Sequence, residues 1–196
     1  MAEDLDRLFV GVPVPPEALA ACAALLDGVR ARHNDRGIRW VSTQNLHLTL
    51  RFLGLLPPSR IPSFATAVDA AAAAGRAGFE VELAGAGSFP PGRRPRAIWL
   101  GIDRGADELA AISRSLDAAL VEAGMPHDDR PFRPHLTVAR TDAAGTTGSL
   151  AVAEALHHAA ADWRLRFTAD RVVLYRSHLG GGPPRYEPVH EARLLG

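Results

Sequence analysis

Polar and apolar residues alternate along Leu46 to Leu53, with His47, Thr49 and Arg51 on one side and Leu48, Leu50 and Phe52 on the other. A period of two predicts a strand with one buried face. Arg7 to Val14 (RLFVGVPV), branched, aromatic and closed by prolines, also predicts a strand. From Pro15 to about Arg32 the apolar residues Leu19, Cys22, Leu25, Leu26 and Val29 recur at helical spacing. A second helix is expected over about Pro62 to Arg76, then a strand at Phe79 to Leu83. Phe89 to Pro95, made of Pro, Gly and Arg with one Phe, reads as a loop.

The order then recurs. Arg96 to Ile102 predicts a strand, and Asp107 to Ala123 a helix with Asp107 as its N-cap. Phe132 to Arg140 predicts a strand, Ser149 to Ala161 a helix, and Leu165 to Tyr175 a strand, with a last strand at Tyr186 to Leu194. His47-Leu48-Thr49-Leu50 and His135-Leu136-Thr137-Val138 lie 88 residues apart, close to half of the 196-residue chain. Two similar halves, about 6–88 and 95–177, point to an internal duplication with a pseudo-two-fold axis.

Composition narrows the field. The chain carries 22 basic and 22 acidic residues and a formal charge of zero, which removes the electrostatic case for coating long nucleic acid or an anionic membrane. Every basic residue is Arg, so a single Arg is weak evidence of function. With Cys22 as the sole cysteine, no internal disulfide and no Cys-based metal site can form. The acidic N-terminus does not read as a signal peptide, and no apolar run reaches the roughly 18 residues of a membrane span. A cytoplasmic monomer without a membrane association or an obligate protein partner is the expectation.

The chemistry lies in the repeated His-x-Thr. Residues i and i+2 of a strand share a face, so His47 with Thr49, and His135 with Thr137, stand opposite buried leucines and valine. A two-fold axis would bring two imidazoles and two hydroxyls around one small volume. Imidazole can give or take a proton near neutrality, and two of them flanking a reacting centre suit an in-line displacement. Thr hydroxyls and an Arg fork can hold phosphate oxygens. One His-x-Thr is common by chance; its recurrence at matching points carries the weight. Zinc is the rival, but neither motif has a second His or a carboxylate at ligand spacing, so no metal is expected.

Arg140 lies three residues past Thr137, and its counterpart in the first half is Phe52. Such asymmetry lets one side grip phosphate while the other stacks or packs. Arg93, Arg94 and Arg96 form a basic loop, read first as a solvated turn. His157 and His158 adjoin on a helix and face different ways, as surface residues do; His33, His127, His178 and His190 receive no role.

The paired motifs resemble the 2H phosphoesterase superfamily. Arg7 to Val12, Trp40-Val41, Asn45 to Gly54, Phe89-Pro90, Arg94-Pro95-Arg96, Trp99, Phe132 to Arg140 and Leu174 to Ser177 narrow the resemblance to the bacterial and archaeal RNA 2′,3′-cyclic phosphodiesterases, also called 2′-5′ RNA ligases. It implies an α+β bilobal fold, with two antiparallel sheets flanked by helices and the active-site cleft between them. It also implies metal-independent hydrolysis of RNA ends or small nucleotides bearing a 2′,3′-cyclic phosphate, giving 2′-phosphomonoesters without a cofactor. By position, His47 would be the proton donor and His135 the acceptor, with Thr49, Thr137 and Arg140 on the phosphate. Arg51 stands where that family often has Lys, so the charge is kept. Two other readings stand beside it: RNA ligation by the same site in reverse, and a nucleotide-binding module without turnover.

Overall fold

The computed structural model describes residues 5–33, 37–75, 77–142, 148–178, 180 and 183–194. In order they form β1 (Asp6–Pro13), α1 (Pro16–Arg30), β2 (Ile38–Trp40), β3 (His47–Leu56), α2 (Ile61–Ala73), β4 (Phe79–Phe89) and β5 (Ala97–Arg104). There follow α3 (Ala106–Glu122), β6 (His135–Thr141), α4 (Ser149–Ala159), β7 (Arg164–Ala169), β8 (Arg171–His178) and β9 (Arg185–Arg193). The strands join in one sheet of order β7-β4-β5-β6-β3-β1-β8-β9, each pair antiparallel, with β2 also on β6. Its two halves meet at β3 and β6 through one pair, Leu48 with Leu136. The two expected sheets are thus two wings of four strands, one of them extended by β2 on β6, sharing a narrow seam.

Connectivity makes the sheet curl. Only Asp170 separates β7, at one edge, from β8, next to the other edge. Consecutive Cα atoms are about 3.8 Å apart, so the edges must approach. The single strand expected over Leu165 to Tyr175 is therefore two strands serving opposite wings. The wings also differ from the sequence halves. β4, from the first half, lies between β5 and β7, while β8, from the second, lies beside β1. Neither half builds a wing alone.

Helical periodicity sets the buried faces. Leu109, Ile112, Leu116 and Leu120 place one stripe of α3 against the sheet, as Phe64, Ala67, Val68, Ala71 and Ala72 do for α2. Burying each such Leu, Val or Phe contributes about 1.5–3 kcal/mol against leaving it exposed. α3 starts one residue earlier than expected. Gly105 precedes it at φ +85°, which glycine adopts freely, and makes no side-chain cap. Asp107 is instead in the first turn, where its charge favours the helix dipole. The short β2 and the continuation of β4 to Phe89 lack a clear alternating pattern, and the sequence reading passed over both.

Candidate active site

β3 and β6 are the innermost strands, and their burial runs identically from each histidine: half-buried, buried, half-buried, buried, buried, exposed, buried. The fifth position breaks strict alternation, and the ladder shows why. Gly11 faces Thr49 and Val10 faces Arg51, leaving Leu50 as an extra residue. Likewise Trp99 faces Thr137 and Ile98 faces Ala139, leaving Val138 extra. Two residues then oppose one, and the strand continues with its faces exchanged. Arg140 thereby shares a face with His135 and Thr137 despite its odd spacing, and Phe52 shares one with His47 and Thr49. This corrects the simple alternation, which put Arg51 with the histidine and Phe52 in the core. Arg51 is buried and Phe52 is 53% exposed.

Each imidazole is held from behind. His47 Nδ1 is 2.7 Å from Asn45 O, and His135 Nδ1 is 2.6 Å from Arg133 O. A carbonyl only accepts, so Nδ1 carries the proton in both rings and leaves Nε2 for chemistry. The Thr49 hydroxyl lies 3.0 Å from His47 Nε2 and donates to it when the ring is neutral. Asn45 is itself buried and donates through Nδ2 to Pro184 O at 2.5 Å, bracing the turn before His47. β1 runs close beneath: a Cβ on Gly11 would stand 2.8 Å from Leu48 O and 3.2 Å from the His47 ring.

Aromatic rings enclose both histidines. His47 has Phe9 at 4.7 Å between ring centroids, Tyr186 edge-on at 5.3 Å and Tyr175 at 6.1 Å. His135 has Phe89 at 5.1 Å and Trp99 at 6.1 Å. Desolvation by these walls pushes the His47 pKa down to about 4, opposed by the Asn45 carbonyl and reinforced by the charges of Arg140 and His135. His135 is lowered for the same first reason, opposed by the Arg133 carbonyl and reinforced by Arg140. The guanidinium of Arg140, at the exposed end of the motif, is thus felt by both rings.

Arg51 ties the site to its surroundings. Its Nη1 is 2.9 Å from Asp117 of α3 and 2.9 Å from Asp128, and its Nη2 donates to Pro126 O at 2.7 Å. It fixes the segment that leads into His135. Of the other histidines, His127 pairs with Asp117, His178 with Glu187 at 2.6 Å, and His190 with Asp69 at 2.7 Å. His157 and His158 are exposed, as are Arg93, Arg94 and Arg96. Among the described residues no three His, Cys, Asp or Glu gather at metal-ligand spacing, and no helix is long and apolar enough to cross a membrane.

The structure therefore brings His47, Thr49, His135, Thr137 and Arg140 to the cleft face of two adjoining strands. The sequence reading missed Phe9, Tyr175 and Tyr186 as walls of His47, and Arg51 as an anchor. Phe9 and Trp99 carried the one available signal: each is an aromatic two residues before a glycine in the strand that pairs with its motif strand.

An α+β fold with paired His-x-Thr strands facing one cleft is that of a two-histidine phosphoesterase. More narrowly, the chain belongs to the 2′-5′ RNA ligase superfamily, whose sequence model matches residues 15–181. It is 32% identical over 191 residues to an RNA 2′,3′-cyclic phosphodiesterase of Geobacillus stearothermophilus, covering 97% of this chain and 58% of that protein. Among solved structures, TT0787 of Thermus thermophilus superposes with TM-score 0.74 at 28% identity, covering 96% of this chain and 97% of that one. Escherichia coli LigT complexed with 3′-AMP superposes with TM-score 0.72 at 25% identity, covering 97% and 98%.

Proposed function

We propose that the chain hydrolyses RNA 2′,3′-cyclic phosphate ends to 2′-phosphomonoesters, using its two histidines and no metal. The observation that carries this reading is the pair of imidazoles with Nδ1 bound to a carbonyl and Nε2 left to the cleft, beside Arg140. The Geobacillus relative, an RNA 2′,3′-cyclic phosphodiesterase, and the complex of LigT with 3′-AMP support the substrate class.

In this mechanism His135 Nε2 takes a proton from water as the water oxygen attacks phosphorus. The bond from phosphorus to O3′ breaks in line, and His47 Nε2 protonates the departing oxygen. Thr49, Thr137 and Arg140 hold the non-bridging oxygens, whose charge grows in the transition state. His47 must be protonated and His135 neutral at the start, although both pKa values are lowered in the free protein. The phosphodiester anion offsets Arg140 and draws the proton in.

Full activity is expected in excess EDTA, followed by product analysis on an RNA with a 2′,3′-cyclic end. Loss of turnover in chelator, restored by zinc or manganese, would overturn the metal-free mechanism. Binding without turnover would favour a nucleotide-binding module instead.

A further inference from the structure

The antiparallel pairing of Leu48 with Leu136 sets Thr49 beside His135 and His47 beside Thr137. β2 then takes the place of β3 along the same edge of β6, with Trp40 facing Ala139 and Arg39 facing Arg140. Residues directly opposite in an antiparallel pair project to one face. Ile38, Trp40 and Ala139 pack on the core, so Arg39 and Arg140 share the cleft face, and both are exposed. From His135 the cleft floor therefore runs to Thr137 and His47, and then to a pair of arginines. That pair breaks a rule of sheet packing. Directly opposite Cβ atoms stand about 4.5–5.5 Å apart, and like charges at that spacing repel. Arg51, Arg130 and Arg176 each have a carboxylate. Arg39 and Arg140 have none among the described residues. A conflict left uncompensated in the free protein belongs where a ligand brings the missing charge.

One phosphate does not need both guanidiniums. The cyclic phosphate is a monoanion, and Thr49, Thr137 and Arg140 already meet its oxygens in the mechanism above. The terminal ribose of an RNA carries a second anion, the phosphodiester on O5′. Its place follows from the roles of the histidines. The nucleophile enters at His135 and O3′ leaves toward His47, so the ribose stands at the His47 end of the floor, where Arg39 is. We propose that Arg39 binds the phosphate on O5′ of the terminal ribose, and so selects a cyclic phosphate on an RNA end or a 5′-phosphorylated nucleotide over one on a bare nucleoside. This rests on the phosphodiesterase reading and on its assignment of acid and base. Arg39 touches neither the reacting phosphorus nor the leaving oxygen. It binds ground state and transition state alike, so its effect falls on KM.

The experiment uses the full chain and two substrates, adenosine 2′,3′-cyclic phosphate and the same nucleotide with a 5′-phosphate. The 5′-phosphate should raise kcat/KM about tenfold, the lower end for a hydrogen bond to a charged group, and should do so through KM. In Arg39→Gln the two substrates should become equal, while Arg39→Lys, which keeps the charge, should retain most of the preference. Arg39 is exposed, so both substitutions leave the core untouched. A wild-type chain that hydrolyses both substrates equally well would overturn the proposal. So would a preference that survives Arg39→Gln, or an equal loss on both substrates in that variant, which would put Arg39 on the cyclic phosphate itself. Failure of the wild-type chain to hydrolyse either substrate would instead sink the phosphodiesterase reading.

Discussion

His47→Ala should lose about 10²- to 10⁴-fold of kcat/KM on an RNA 2′,3′-cyclic end, the usual worth of a positioned acid or base. It should regain most of that on a phosphodiester with a p-nitrophenolate leaving group. O3′ leaves as an alkoxide and needs a proton, whereas p-nitrophenolate leaves readily as an anion. His135→Ala should lose activity by a similar factor on both substrates, because the attacking water still needs its base. Steady-state kinetics of the two variants on the two substrates make a four-way comparison. Rescue of His135→Ala, with His47→Ala left inactive, would exchange the two roles. Both rings lie on the cleft face of otherwise well-buried strands, so folding can be checked separately by thermal unfolding.

Arg140→Ala should lower kcat/KM by about 10- to 150-fold, since a hydrogen bond to a charged group is worth about 1.5–3 kcal/mol. Arg140→Lys should fall nearly as far, because an ammonium cannot reproduce the planar fork that meets two phosphate oxygens. A second effect separates this role from a structural one. The Arg140 charge disfavours the protonated form of both histidines, after desolvation. Above both pKa values, the fraction of free enzyme with its acid protonated falls tenfold per pH unit, so kcat/KM should decline as pH rises. Removing the cation raises both pKa values, so the alkaline limb should move to higher pH in Arg140→Ala and stay in place in Arg140→Lys. Wild-type kinetics and an unmoved limb in Arg140→Ala would return the residue to the category of exposed strand ends.

How much of this was legible beforehand divides along a physical line. The two His-x-Thr strands were readable because period-two alternation holds from Leu46 to Leu50 and from His135 to Val138. The helices were readable because their apolar stripes recur at helical spacing. Arg51 and Phe52 were misassigned because a bulge depends on the partner strand, and residue type alone does not show where a ladder takes up an extra residue. The break at Asp170 was hidden for a related reason: β7 and β8 both read as strand, and only tertiary pairing sends them to opposite wings. The aromatic walls of His47 come from β1 and from the neighbouring strands β8 and β9, some 160 residues further along the chain. No local pattern could have assembled them.

The exchange of third strands between the wings bears on how such a chain arises. Each half, taken alone, lacks the strand that completes its own wing: the first needs β8 beside β1, and the second needs β4 beside β5. Two copies of one half, set about a two-fold axis, would supply each other with that strand. A half-length ancestor of this kind would be an obligate homodimer, its single cleft built from one histidine of each subunit. Fusion of two such copies would free them to drift apart, so that matching positions could hold Phe52 on one side and Arg140 on the other. One imidazole can settle as the acid and its twin as the base. Fragments 1–92 and 93–196, coexpressed, should therefore reassemble into an active pair, while either alone should stay unfolded by circular dichroism. A fragment that folded by itself would break this account of its origin.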